Sequence, residues 1–303
     1  MKIHDVIILE MRNIDLAQLE VFKTVVDEGG ITKAAGKLHR VQSNISTRLK
    51  QLETRLGTAL FYRRNRKLVL SPDGRILLAY AERLLRLSSE AEAALRDGTP
   101  RGTFRLGTLE STAATRLPPV LSRYHAAYPD VRIELVTGTT GALITSVLHQ
   151  EVEAAFVAEP FHPESLDSQP AFQERLVFIA PKGSPKIRTP RDIGRRTIIA
   201  FGAGCTYRRC LEEWLARGRV VPARVMEFAS YHAIVACVAA GAGVALVPRS
   251  VISATPCGGE VVVYPLPAAT SRTRTMLVWR AAERSTALDA LRRQLAHEVP
   301  RSG

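Results

Sequence analysis

Between Gln42 and Glu53 the chain presents Ser43, Asn44, Ser46, Thr47, Arg48, Lys50 and Gln51, with no acid before Glu53 closes the stretch. Amides and arginine can pair with base edges, while hydroxyls and lysine hold phosphate oxygens. Ile45, Leu49 and Leu52 recur at i, i+4 and i+7, so a helix here would bury them together and turn the polar set outward. The pattern predicts a helix lying in the major groove of double-stranded DNA. Gln42, Ser43 and Asn44 are assigned to base reading, and Ser46, Thr47, Arg48 and Lys50 to further DNA contact. The plainer alternative is an amphipathic helix with a solvated face.

A second set of chemistry-bearing residues lies in three loops: Glu110-Ser111-Thr112, Thr137-Gly138-Thr139-Thr140 and Gly202-Ala203-Gly204-Cys205-Thr206-Tyr207. Hydroxyls, backbone N–H groups and helix N-termini together suit a small carboxylate or oxyanion. The ligand-binding candidates are Ser111, Thr112, Thr137, Gly138, Thr139, Gly204, Cys205, Thr206 and Tyr207. Ser230 and His232 are candidates to close the pocket. Ordinary helix capping is the alternative for each hydroxyl, and a structural role for the lone histidine. Cys205 has Arg208 and Arg209 close in sequence and a predicted helix N-terminus, features that promote thiol reactivity. Against that, Cys210 falls on a roughly opposed face of the same helix, and a local disulfide would break it. Cys205 is then a small residue lining an anion pocket.

Four cysteines (205, 210, 237 and 257) show no Cys-x-x-Cys spacing and no matching histidine pair, so no metal is expected, and no cofactor either. There is no Gly-x-Ser-x-Gly elbow and no carboxylate pair of stated geometry, which argues against an enzyme. A small-molecule binding protein or enzyme is the remote alternative. The formal net charge of +13 points to a polyanionic partner. Residues 33–75 hold eleven Lys/Arg against two acids, a local excess of nine.

These groups need elements to position them. Thr32 is read as the N-cap of a short helix whose Ala34, Ala35 and Leu38 allow close crossing with the helix that follows, making a helix-turn-helix. Leu16, Leu19, Val21, Phe22, Val25 and Val26 give a supporting helix over 15–28, stopped by Gly29-Gly30. Apolar runs 60–62 and 68–70 flank Arg63, Arg64, Asn65, Arg66 and Lys67, read as a wing whose tip reaches the DNA backbone or minor groove; a solvated basic hairpin is the alternative. Ser71-Pro72 opens a helix to about Asp97, roughly 39 Å long. Along it Leu77, Tyr80, Leu84, Leu87, Ala91 and Ala94 form a heptad seam, read as a dimerisation face; packing on its own domain is the alternative. Gly98-Thr99-Pro100-Arg101-Gly102 is a hinge. Beyond it strands and helices alternate, as in a parallel sheet covered on both faces.

Residues 15–95 resemble the DNA-binding half of a LysR-type transcriptional regulator. The resemblance rests on Gly30-Ile31-Thr32, Ala34-Ala35, Leu38-His39, Gln42-Ser43, Ile45-Ser46, Leu49, Leu52-Glu53, Leu56-Gly57, Leu60-Phe61, Arg63, Ser71-Pro72 and Gly74. The rest is similar to the family's effector domain, so the match covers residues 15–290. Asn44 stands where many members carry Ala, which alters the base-edge contacts the resemblance implies. The resemblance implies an α/β chain with a helix-rich N-terminal winged helix-turn-helix and a C-terminal two-lobed, periplasmic-binding-protein-like α/β domain. Expected boundaries are 1–71 for the winged helix-turn-helix, 72–97 for the dimerisation helix and 98–102 for the hinge. The two-lobed domain then spans 103–303, with lobe I near 103–160 and 266–297 and lobe II near 161–265. Further implied are promoter or operator DNA, a small anionic effector, homodimers and homotetramers, and RNA polymerase as a candidate partner. The peroxide-sensing branch keeps its reactive cysteine in a comparable loop, so a redox sensor using Cys205 is the nearest rival. No stretch reaches the ~18 apolar residues of a membrane span, and the first residues do not read as a signal peptide, so no membrane and a cytoplasmic location are expected. Met11 is a second candidate start.

Overall fold

The computed structural model describes residues 14–64, 67–95, 98–161, 165–281, 283 and 285–298. Met11, Arg66 and Asp97 lie outside the described residues, as do the side chains of Arg63 and Arg64. The chain divides into two compact units, meeting between Glu92 and Ala93.

The first unit comprises α1 (Leu16–Asp27), α2 (Ile31–Lys37), α3 (Gln42–Leu56), β1 (Phe61–Arg64), β2 (Lys67–Leu70) and α4 (Pro72–Leu95), the last running into the second unit. Its core gathers Leu19, Phe22, Ala34, Ile45, Leu52 and Leu60, all fully buried. Each large side chain there contributes about 1.5–3 kcal/mol by leaving water. Leu16 departs from the expected α1 face, being 40% exposed at the first turn. Glu53 also departs, because α3 continues to Leu56. Its carboxylate turns inward and accepts hydrogen bonds from the N–H groups of Leu60 (2.8 Å) and Phe61 (3.3 Å). β1 and β2 pair antiparallel, Phe61 opposite Leu70. The Ser71 hydroxyl accepts from Gly74 N at 2.9 Å, capping α4, and donates to the Ala59 carbonyl at 2.7 Å. A Cβ at Gly74 would collide with the Leu60 carbonyl oxygen, so only glycine lets α4 start this close to the wing.

The second unit opens with β3 (Gly102–Thr108), α5 (Glu110–Thr115), α6 (Leu117–Ala127), β4 (Val131–Thr137), α7 (Thr140–Leu148), β5 (Ala154–Ala158) and β6 (Leu166–Pro181). It continues through β7 (Ile198–Phe201), α8 (Thr206–Arg217), β8 (Val225–Phe228), α9 (Tyr231–Ala239), β9 (Ala245–Pro248) and α10 (Arg249–Ala254). β10 (Val261–Pro265), α11 (Ala268–Ser271), β11 (Arg272–Arg280) and α12 (Thr286–Glu298) complete it. Gly102 belongs to β3, which shortens the hinge expected over 98–102. In the first lobe the strand order is β6-β11-β5-β3-β4; β3 runs parallel to β4 and β5, whereas β11 is antiparallel to both neighbours. The sheet is therefore mixed rather than all parallel.

β6 is the element that joins the lobes. Leu166–Arg175 pairs with β11, and from Leu176 onward the same strand pairs with β9 and β10 of the second lobe. The change of lobe thus lies at 175/176, not at 161 as the sequence suggested. β7 and β8 pair in parallel, and Ile198 bridges to Val244 just before β9.

Candidate nucleic-acid interface and candidate ligand cleft

In the first unit α3 buries Ile45, Leu49 and Leu52 and leaves Gln42, Ser43, Asn44, Ser46, Thr47, Lys50 and Gln51 exposed. Arg48 is half-buried. Its Nε donates to Asn44 Oδ1 at 3.2 Å one turn back, which occupies the amide oxygen and fixes the two side chains together. Sequence reasoning did not pair them. Nor did it single out Val41, the N-cap residue, which is 69% exposed and offers no side-chain cap. The N–H groups of Gln42 and Ser43 therefore lack an intrahelical acceptor, the arrangement that receives a phosphate oxygen, while Asn44 N reaches the Val41 carbonyl at 3.1 Å. Thr32 is not an N-cap: Gly30 holds that position, and Thr32 sits exposed in the first turn of α2. Gly30 and Ile31 already begin the helix, so the hydroxyl comes two residues too late.

On α4, Leu77 is 8% exposed and packs into the core of the first unit, so it leaves the expected seam. Tyr80, Leu84 and Leu87 remain exposed, and Ile76 (60% exposed) joins them at helical spacing. Ile76 was missed because it falls outside a strict heptad.

In the second unit the three hydroxyl-rich segments converge. Ser111, Gly138, Thr139, Cys205, Thr206 and Tyr207 line one cleft together with Glu110 and Tyr231. Its free volume is about 10 Å³, room for roughly one water. Gly204 lies at an adjoining recess of about 630 Å³ with Arg208 and Arg209. Its φ of +83° and the Thr139 hydroxyl, 3.0 Å from where a Cβ would stand, both favour glycine. Thr137 is exposed and Thr112 buried, and neither lines the cleft. The segment Glu110-Ser111-Thr112 is not a loop but the first turn of α5.

Several of these hydroxyls are already engaged. Thr140 Oγ1 accepts from Ala158 N at 3.2 Å, and Thr206 Oγ1 donates to the Ala158 carbonyl at 3.4 Å, so both clasp the end of β5. Thr139 caps α7 through Ala142 N. Cys205 is buried, with its Sγ 3.4 Å from the Tyr231 hydroxyl. Arg208 is drawn to Glu212 (2.7 Å) and Glu227 (2.6 Å), which hold it firmly charged, and Arg209 to the Pro160 carbonyl. Both guanidiniums are thus committed away from Cys205. Burial pushes the Cys210 thiol upward in pKa, with Glu213 adding to the effect.

The residue that sequence reasoning undervalued is Glu110. Its carboxylate, from the first lobe, accepts from Ser230 Oγ at 3.2 Å and from Tyr231 N at 3.3 Å, at the N-terminus of α9 in the second. His232 Nδ1 lies 3.7 Å from it. An internal carboxylate of the first lobe thus sits against the N-terminus of α9. The hydroxyls of Tyr207, Thr112 and Thr275 are buried without a hydrogen bond of good geometry, Ser111 and Thr275 being the polar neighbours of Tyr207. Burial drives the Tyr207 and Tyr231 phenols well above their ordinary pKa. Among the described residues no group of three or more His, Cys, Asp or Glu is arranged to hold a metal. None of the described helices is long and apolar enough to cross a membrane.

Two family profiles match the chain: a bacterial regulatory helix-turn-helix protein of the lysR family over residues 16–75, and a LysR substrate binding domain over 97–300. The HTH-type transcriptional regulator YusT of Bacillus subtilis is 40% identical over 263 residues, 86% of this chain and 88% of its own. GltR of the same organism, also an HTH-type transcriptional regulator, is 38% identical over 86% and 89%. Among solved structures, the probable transcriptional regulator PA0477 of Pseudomonas aeruginosa superposes with a TM-score of 0.71 at 20% identity, covering 94% of this chain and 97% of that one. Full-length CbnR in complex with its target DNA gives 0.69 at 19% identity, covering 94% and 100%.

Proposed function

The chain belongs to the LysR-type family of DNA-binding transcriptional regulators, and on that premise we propose how its two sites work. The family's proteins are regulators rather than enzymes. α3 enters the major groove. Gln42, Ser43 and Asn44 meet base edges, while Ser46, Thr47, Arg48, Lys50 and Thr32 hold the backbone together with the open N-terminus of α3. Arg63, Arg64 and Arg66 extend the contact from the wing. The exposed Tyr80, Leu84 and Leu87 stripe pairs two copies, and the second units complete a tetramer acting in the cytoplasm.

A small carboxylate or oxyanion is the effector. The observation that supports this reading is the Glu110 carboxylate seated at the N-terminus of α9, where a ligand carboxylate could take its place. The effector displaces Glu110, parts the two lobes and gives the buried Tyr207 hydroxyl a partner, and promoter binding changes with occupancy. Thermal melting of the full chain against carboxylates and oxyanions tests this. At a hundredfold its dissociation constant a ligand adds ~2.7 kcal/mol, several degrees for a protein of this size. Stabilisation by neutral or cationic metabolites and by no anion would refute the reading. A shift on peroxide treatment alone, lost in Cys205→Ser, would replace it with redox sensing.

A further inference from the structure

A larger recess, about 1200 Å³, lies where β6 passes from the first lobe to the second, apart from the cleft above. The first lobe supplies Arg116, Arg175, Arg272 and Arg274, and α10 of the second supplies Arg249 and Ser250. Two arginines are neutralised. Arg116 meets Glu174 at 2.6 Å, which also accepts from Ser250 Oγ, and Arg274 is held by both oxygens of Glu159 at 2.7 and 3.0 Å. Arg175, Arg249 and Arg272 have no carboxylate partner among the described residues. Moreover, Arg175 and Arg272 are direct cross-strand partners in the β6–β11 ladder. Like charges directly opposite on antiparallel strands destabilise the pair unless a counter-charge lies between them.

We propose that this basin binds a small polyanion, one molecule carrying two or more phosphate or carboxylate groups, held between Arg175 and Arg272 on the paired strands β6 and β11 and Arg249 on the second lobe. The recess is concave and walled by both lobes, the shape of a small-molecule site rather than of a duplex surface. Guanidinium forks match phosphate and carboxylate oxygens in pairs, and three unpaired forks call for more than one anionic group. Occupancy ties β6 and β11 to α10, so the ligand sets the spacing of the lobes independently of the effector cleft.

The test is calorimetric titration of the full chain with inorganic pyrophosphate and with citrate at matched ionic strength. The expected result is saturable binding of at least one, weakened about tenfold or more by Arg175→Gln or Arg272→Gln. Preference for pyrophosphate assigns phosphate chemistry, and preference for citrate assigns carboxylates. Arg249→Gln, on a short helix outside the strand ladder, gives the same loss without disturbing the paired strands. In the ligand-free chain Arg272→Gln raises the melting temperature by relieving the like-charge pair. The proposal is overturned if neither probe saturates, or if the three variants bind both as tightly as the parent. It falls equally if the substitutions weaken non-specific duplex DNA binding while leaving the probes unaffected.

Discussion

On α3 the polar groups other than the half-buried Arg48 are exposed, and a hydrogen bond from Arg48 to Asn44 ties two of them together. In the cleft of the second unit comparable groups are shut away. Ser111, Thr206 and Tyr207 are buried, the free space is about 10 Å³, and the Glu110 carboxylate sits at the N-terminus of α9. The first surface is built before its partner arrives, and contact costs little rearrangement. On the proposed reading the second must open, so part of a ligand's binding energy goes into breaking the Glu110 contacts.

The contrast is broken most forcefully at α3. Replacing Arg48 and Lys50 by Ala should weaken operator binding by about a hundredfold or more, with oligomer size unchanged in sedimentation. A retained footprint would mean that α3 is not the reading element. In the cleft the opposite sign is expected, because Glu110→Gln removes a competitor. The anionic effector should bind about tenfold tighter, while the unliganded chain melts a few degrees lower for loss of a charge-assisted hydrogen bond. Weaker effector binding in this variant would make Glu110 a ligand contact instead.

The smallest effect separates the units by pH. Tyr124, Tyr207 and Tyr231 are buried, and desolvation raises each phenol above its unfolded value. The stability tied to the neutral phenols is fully present below about pH 10, the unfolded value, and is lost as pH rises further. Tyr62 and Tyr80 of the first unit are exposed. Urea melts followed on either side of about pH 10 should therefore weaken the second unit and spare the first; equal loss in both would refute the assignment.

The sequence announced the elements that carry their signal in their own apolar residues: Ile45, Leu49 and Leu52 at helical period on the one buried face of α3, and the continuous apolar runs of β5, β9 and the end of β11, buried on both faces. It was silent where a partner decides the structure. Leu166–Arg175 reads Leu-Asp-Ser-Gln-Pro-Ala-Phe-Gln-Glu-Arg, with exposed polar residues and a proline, and becomes strand only because β11 lies alongside, with a register shift at Thr275/Met276. α5 has too few apolar residues to show a helical period. Leu77 looked like part of the seam because spacing cannot tell which side of a helix its own domain covers. Most of the cleft was legible as hydroxyls at helix starts, but Glu110 was not, since its partners lie 120 residues away at Ser230 and beyond.

The long β6 strand also bears on how the chain is made. Arg175 pairs with Arg272, about a hundred residues later, and the first lobe lacks its β11 until that segment exists. Closing so distant a pair is slow compared with local packing. The first unit has every strand and helix of its core by Glu92. During synthesis the DNA-reading half can therefore be complete while the sensing half is still waiting on the ribosome for its last strand.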